Sequence, residues 1–305
     1  VKRSSGRTLD PLPFQKNLLG WYDRNKRDLP WRGTTDPYAI FVSEMMLQQT
    51  QVKTVIPYFT RFLKELPDWK ALAKAKEEKV LKLWEGLGYY RRARNLQAAA
   101  KMVVGEFKGR LPDDSENIRK LPGVGAYSAG ALLSIAHQKP YPLVDGNVIR
   151  VLSRIFLLDG DLKKGPDHQK LWELAGKLVS PKRPGDFNQA LMELGATVCS
   201  PEDPQCLLCP MLPLCGAATK GQQNRYPQSP KTEKTLEVPM AALLVRTGEK
   251  VLVRKRPKDE RWLQGLWEFP SAEGKTFEEA LRKLERSVKA RSSRKEFHRV
   301  RHQIT

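Results

Sequence analysis

From Phe14 to about Lys220, apolar residues recur every three or four positions with polar residues between them, the period of amphipathic helices. Leu18, Leu19 and Tyr22 begin the pattern, and the Asp28-Leu-Pro-Trp31 stretch stops the first helix. Ala39 to Phe62 carry the next stripe (Ile40, Val42, Met45, Met46), with an interruption expected at Pro57. Further helices are expected at about 76–84, 92–104, 115–120, 126–137, 146–157, 167–179 and 185–197, with Gly and Pro at each junction. Nothing between 14 and 220 reads as sheet. After Cys215 the texture changes: 221–236 is polar with two prolines and reads as a linker. Val238–Val245 and Lys250–Arg254 read as strands around a Thr247-Gly248 turn, Phe277–Val288 as a basic amphipathic helix, and Phe297–Thr305 as extended. The expected architecture is a tail over 1–13, a mainly α domain over 14–220, the linker, and an α+β domain over 237–305. The last stretch ends mid-strand, so the second domain is expected to be incomplete, with an unpaired edge.

At 305 residues the chain suffices for two cores, and 40% hydrophobic with 29% charged residues is an ordinary globular composition. No apolar run is long enough to span a bilayer, and no signal core follows the basic N-terminus, so an intracellular protein is expected (cytoplasm or nucleoid in a bacterium). Charge changes the picture more. With 54 basic and 34 acidic residues the net charge is +20, which suits a polyanionic partner through counterion release. Charge alone does not choose between DNA, RNA and acidic membranes, or a merely solubilising surface.

All four cysteines, Cys199, Cys206, Cys209 and Cys215, fall in one C-x6-C-x2-C-x5-C run. Intracellular disulfides are disfavoured. Both tetrahedral zinc and an iron–sulfur cluster take four thiolates. Zinc ribbons usually carry two C-x2-C knuckles, whereas here Cys206 and Cys209 form a single one, so the spacing favours one [4Fe–4S] cluster. Pro201, Pro204, Pro210 and Pro213 stiffen the loop and turn backbone amides toward the sulfurs.

Leu121-Pro-Gly-Val-Gly-Ala-Tyr-Ser-Ala-Gly130 lies between two helical segments. Gly123 and Gly125 around Val124 permit a tight hairpin whose N–H groups face outward at a helix N-terminus, a phosphate cradle without side-chain charge. Further on, Asp145 opens the next helix within Val144–Arg150, placed either to cap it or to face the same groove. Hairpin, acid and cysteine run, in this order, resemble the endonuclease III superfamily of helix-hairpin-helix DNA glycosylases over 14–220. Pro30-Trp31-Arg32, Ser43–Thr50 and Trp84–Arg94 narrow the resemblance to adenine glycosylases of the MutY family. Glu44 sits on an otherwise apolar helix face, where burial would raise its pKa and hold a proton near neutral pH.

The resemblance implies a helical-barrel lobe over 31–136 and a cluster-bearing lobe from 14–30 with 137–220. It implies base flipping in double-stranded DNA bearing A·8-oxoguanine or A·G mispairs, by a monomer that binds no membrane. Glu44 would protonate adenine N7, Asp145 would stabilise or capture the sugar cation, and Tyr127 and Asn147 would position the two acids. Gln49 and Tyr89 would fill the vacated space, with Arg32, Leu47, Thr50 and Leu87 around the lesion pair. Lyase relatives carry a lysine where this chain has Tyr127, so no Schiff base forms and a monofunctional hydrolase is expected. The structural cluster would brace its loop so that nearby basic residues and amides meet phosphates. Gly265–Pro270 resembles the opening of a Nudix fold, yet Arg282–Val288 lacks the acids that hold Mg²⁺. That domain is therefore expected to recognise 8-oxoguanine, with Thr305 at the contacting position. A glycosylase for T·G or oxidised pyrimidines, and a catalytically silent DNA-binding protein, are the alternatives.

Overall fold

The computed structural model describes residues 10–228, 237–257, 259, 264–289 and 298. The chain divides into two compact units, Val1–Lys231 and Thr232–Thr305.

In the first unit the helices run α1 (Leu12–Asn25), α2 (Pro37–Leu47), α3 (Val52–Glu65), α4 (Trp69–Lys74), α5 (Glu77–Trp84) and α6 (Arg91–Glu106). They continue with α7 (Ser115–Ile118), α8 (Ala126–Ile135), α9 (Gly146–Phe156), α10 (Gly165–Leu178), α11 (Pro184–Thr197) and α12 (Gly216–Thr219). Starts are set locally. Asp36 caps α2, Asp68 caps α4 and Asp145 caps α9, each side chain accepting from first-turn N–H groups. The Ala39–Phe62 stripe breaks at 48–51 and not at Pro57, which lies inside α3 on its exposed side. There the ring costs one intrahelical bond without a steric conflict in the core. Helix α4, six residues long, is too short to show a period in the sequence.

Two hydrophobic cores form. Leu29, Trp31, most of α2, Phe62, Trp84 and Val103 belong to one, and Phe14, Leu18, Val151, Leu174, Phe187 and Leu194 to the other. Helix α8 serves both: Ala129, Leu132 and Leu133 face the first core and Ala131 the second. It therefore lies between the cores, and Tyr127 at the start of α8 and Asp145 at the start of α9 both lie beside Glu44. Part of the expected linker is corrected. Tyr226 is buried, Gln228 donates to Asp159, and Arg154 binds the Gln223 and Tyr226 carbonyls, so 221–228 packs on the helical unit. Residues 229–236 lie outside the described ones.

The second unit has short strands and one helix, α13 (Phe277–Val288). β1 (Met240–Ala242) pairs antiparallel with β6 (Ser271–Glu273), β2 (Arg246–Thr247) with β3 (Lys250–Val251), and β4 (Arg254–Lys255) with β5 (Trp267–Glu268). The two expected strands are thus shorter and divided between pairings. The turn at Gly248 closes β2 onto β3, while Met240–Ala242 pairs far along the chain. Ala241, Ala280 and Leu284 form its small core. The extended terminal stretch and Thr305 fall outside the described residues.

Candidate active site

Glu44 lies on α2, where every residue from Tyr38 to Met46 is buried. It is 6% exposed, and its Oε2 has no hydrogen-bond partner. Desolvation is the chief cause that raises its carboxyl to about 7; the nearby Asp145 adds to this, and a Tyr127 hydrogen bond opposes it. The Tyr127 phenol, on the first turn of α8, also donates to Met192 Sδ at 3.5 Å. Burial, with the two carboxylates beside it, holds that phenol well above the usual range, so it is a donor at any working pH.

Asp145 is held more firmly. Its Oδ1 accepts from Val148 N at 2.8 Å and its Oδ2 from Asn147 Nδ2 at 2.9 Å. Burial raises this carboxyl as well, against these bonds. Asn147 is fixed in turn: its Oδ1 accepts from Arg150 Nη2 at 2.8 Å, and Arg150 donates to the carbonyls of Cys199 and Gly195, both at 2.7 Å. A Cβ on Gly195 would meet Asn147 Cβ at 2.6 Å, so glycine lets α11 approach this cap. One proton-holding acid and one fixed acid therefore lie near each other, with the Tyr127 phenol beside both.

The hairpin sits beside them. Gly123 has φ 82°, and a Cβ there would meet Met45 Cε at 2.7 Å; Gly125 has ordinary backbone angles and open space. The conformational demand thus rests on Gly123 alone. Gly125 provides no side-chain cap, leaving the first N–H groups of α8 open to an anion. Val124 is buried as the anchor, and Gln48 ties the hairpin to α2 by donating to Ser128 Oγ at 3.2 Å. Gln49 and Tyr89 are both exposed and both left-handed, with φ 57° and 46°. Leu87 is buried, and Leu47 and Thr50 are half-buried beside them.

Arg32 stands apart from the expected pattern. Its Nη2 binds Glu193 Oε2 at 2.7 Å and its Nη1 donates to the Arg27 carbonyl, while Arg27 takes the other Glu193 oxygen at 2.8 Å. The buried Glu193 is driven to about 2; burial opposes this, and bonds from Arg27 and then Arg32 outweigh it. Arg32 therefore joins the start of the first lobe to α11. Glu193, Arg150, Met192 and Gln48 escaped the sequence reading; Glu193, an acid on an otherwise buried helix face, was the one visible signal.

The four cysteines line one cavity with Arg154, Gln223, Leu194 and Val198, and none of them is in a disulfide. Burial is the main reason the Cys209 thiol rises to about 12 and Cys215 rises too, against backbone N–H donors Met211, Ala217 and Ala218. Arg154 Nη1 donates to Cys199 Sγ at 3.3 Å, and Gln223 Nε2 to Cys206 Sγ at 3.7 Å. Thiols that receive N–H donors around a cavity fit a thiolate-bound group. No cluster of three or more His, Cys, Asp or Glu side chains suited to a metal ion occurs among the described residues. Between Cys199 and Cys215 there is no Lys or Arg, but there are Glu202 and Asp203. Arg150 and Arg154 at its base are turned onto carbonyls.

The family model of HhH-GPD superfamily base excision DNA repair proteins matches residues 42–177, which carry Glu44, the hairpin and Asp145. A solved thermostable thymine-DNA glycosylase is 32% identical, with TM-score 0.63, over 69% of this chain and 97% of its own. An endonuclease III structure at 21% identity and TM-score 0.58, over 70% of this chain and 99% of its own, shares the fold. Fold and family match together define a helix-hairpin-helix protein of the base-excision class. Adenine DNA glycosylase of Rattus norvegicus is 46% identical over 86% of this chain and 51% of its own. That of Buchnera aphidicola from Acyrthosiphon pisum is 37% identical over 88% and 76%. The chain belongs to the adenine DNA glycosylase family. It spans about half the length of the mammalian relatives it matches, at 51% and 52% for the rat and mouse proteins.

Proposed function

We propose that this chain hydrolyses the N-glycosidic bond of adenine mispaired with 8-oxoguanine or guanine in duplex DNA. The carrying observation is the buried Glu44, raised to about 7, with one oxygen unpartnered beside the fixed Asp145. A proton on that carboxyl suits transfer to a ring nitrogen of a flipped base, which turns the base into a neutral leaving group. As the C1′–N bond breaks, the anionic Asp145 stabilises the sugar cation or adds to it. Glu44, now deprotonated, takes a proton from water, whose oxygen completes the sugar. The products are free adenine and an abasic site. Tyr127 orients Glu44, and Asn147 orients Asp145. Exposed first-turn amides of α8 hold phosphate, and Gln49 and Tyr89 fill the gap in the stack.

Cys199, Cys206, Cys209 and Cys215 would hold a [4Fe–4S] cluster. Bound there, the group supplies a cross-link that fixes the loop, with Arg154 and Gln223 as donors to its sulfurs. Residues 237–305 would recognise the oxidised guanine as a Nudix-like domain without hydrolytic metal chemistry. Glu268 of the Gly265–Pro270 element is paired with Arg254 at 2.7 Å and with Arg256.

Labelled duplexes containing A·8-oxoguanine, T·G and an oxidised pyrimidine, treated with the protein and then alkali, test the reading. Strand breaks confined to the adenine strand of A·8-oxoguanine support it. Cleavage of T·G instead would favour the chemistry for which the 32% identical thymine-DNA glycosylase is named. Breaks without alkali would show a lyase and sink the monofunctional assignment.

A further inference from the structure

We propose that Arg92 is the positioning residue that sets both base-displacing loops at once; this rests on the function proposed above. Arg92 lies in the first turn of α6 and is 7% exposed, and no carboxylate among the described residues pairs with it. Its two Nη groups face backbone carbonyls and one hydroxyl instead, while its buried Nε has no partner. Nη1 donates to Met46 O at 2.9 Å, to Met45 O at 3.2 Å and to Gln48 O. Nη2 donates to Thr50 Oγ1 at 2.9 Å, Leu87 O at 3.2 Å and Gly88 O at 3.4 Å.

The acceptors are the informative part. Gln48 O and Gly88 O belong to the peptides immediately before Gln49 and Tyr89, the two left-handed residues. The φ angle is the rotation between that preceding peptide plane and the residue's own Cα. One planar guanidinium reaches both carbonyls, the Gly88 carbonyl also accepting from Trp84 Nε1 at 3.0 Å, and so helps hold both strained conformations. Non-glycine side chains leave the left-handed region unless their surroundings hold them there. The guanidinium also lies 5.4 Å from the ring centroids of Tyr89 and Trp84, so it orients the Tyr89 ring as well as its backbone. Carbonyls at the end of α2 complete the site, since a cation is favoured at a helix C-terminus. Burial pushes Arg92 down to about 10, which leaves it charged at neutral pH. Lysine keeps the charge but cannot span two loops with a fixed fork.

The consequence is coupling. Gln49 and Tyr89 stand preset in the DNA-free protein, so the cost of displacing a base is not increased by ordering either loop. Arg92→Lys and Arg92→Met in the full chain test this in two assays. In DNA-free protein, hydrogen exchange at 49–51 and at 88–90 should accelerate together by at least about tenfold in both variants, with α9 and α11 unchanged. With 2-aminopurine as the target base opposite 8-oxoguanine, the extrusion fluorescence should develop at least about tenfold more slowly. Adenine placed in an unpaired bubble, already extruded, should be released by the Lys variant within about threefold of wild type. Loss of protection in one loop alone, or in neither, overturns the proposal, as does a bubble substrate that fails to rescue the Lys variant. A wild-type chain that releases no base from any duplex, with both loops still coupled through Arg92 in exchange, fails the functional reading alone.

Discussion

Glu44 is an expensive residue to keep. Its carboxyl is buried and held at about 7, against an ordinary 4.5, so the folded state binds its proton more tightly than the unfolded chain does. Stability from this group is therefore full below about pH 4.5 and declines as pH rises through 7, by up to about 3 kcal/mol at 1.36 kcal/mol per pH unit. Glu44→Gln should remove that decline: thermal unfolding at pH 8 shifts upward, while unfolding at pH 4 barely changes. The same variant should lose base release by more than about a hundredfold under single turnover, because a proton donor is gone. In the wild type, release should fall as pH rises above about 7, the range in which Glu44 gives up its proton. Asp145 separates fold from chemistry in a different way. Asparagine is as good a helix cap as aspartate, so Asp145→Asn should keep the melting temperature within a few degrees yet abolish base release. An active Asn variant would remove Asp145 from the reaction.

At the scale of elements, the site depends on a few close approaches. The hairpin meets α2 through Gly123, whose φ of 82° and 2.7 Å distance to Met45 Cε leave no room for a side chain. Gly123→Ala should cost about 1–3 kcal/mol in urea unfolding. It should also weaken binding to an uncleavable duplex, since the hairpin would turn its amides away from phosphate. An unchanged affinity would mean that the hairpin is not a DNA contact. Helix α9 starts at the candidate active site and, through Arg150 and Arg154, reaches the cysteine loop and the 223–226 segment. Arg154 is 2% exposed and binds the carbonyls of Ser200, Pro201, Gln223 and Tyr226. Loop and helix are thereby one mechanical piece.

For the whole molecule, the thiol cavity and the charge lead to separate expectations. Cys209→Ser, or prolonged chelation of iron, should expose 199–228 to limited proteolysis while the first core, around Phe62 and Trp84, stays protected from exchange. If the loop kept its protection without metal, the assigned bracing role would be wrong. Duplex affinity should fall at least about a hundredfold between 50 and 200 mM salt, as expected for several phosphate contacts on a chain of net charge +20. Since Cys199–Cys215 contains Glu202 and Asp203 and no basic residue, charge reversal of these two acids should tighten rather than loosen that binding.

Much of this was legible in the chain itself. Helical periods, the Leu121–Gly130 hairpin, the acid at 145 and the C-x6-C-x2-C-x5-C run are local patterns, because a helix period, a turn or a ligand spacing is written over a few adjacent residues. The pairing of Glu44 with Asp145 as candidate acids came from the family resemblance that those patterns carry. Other features were decided by packing across long separations. Neither Arg32, expected beside the lesion pair, nor Arg92 shows its partner locally: one closes on Glu193, 161 residues away, and the other on carbonyls more than forty residues distant. The break at 48–51 in place of Pro57, the docking of 221–228, and the left-handed turns at Gln49 and Tyr89 have the same origin. Burial energy and hydrogen bonds from remote segments overrode what each local stretch would choose alone.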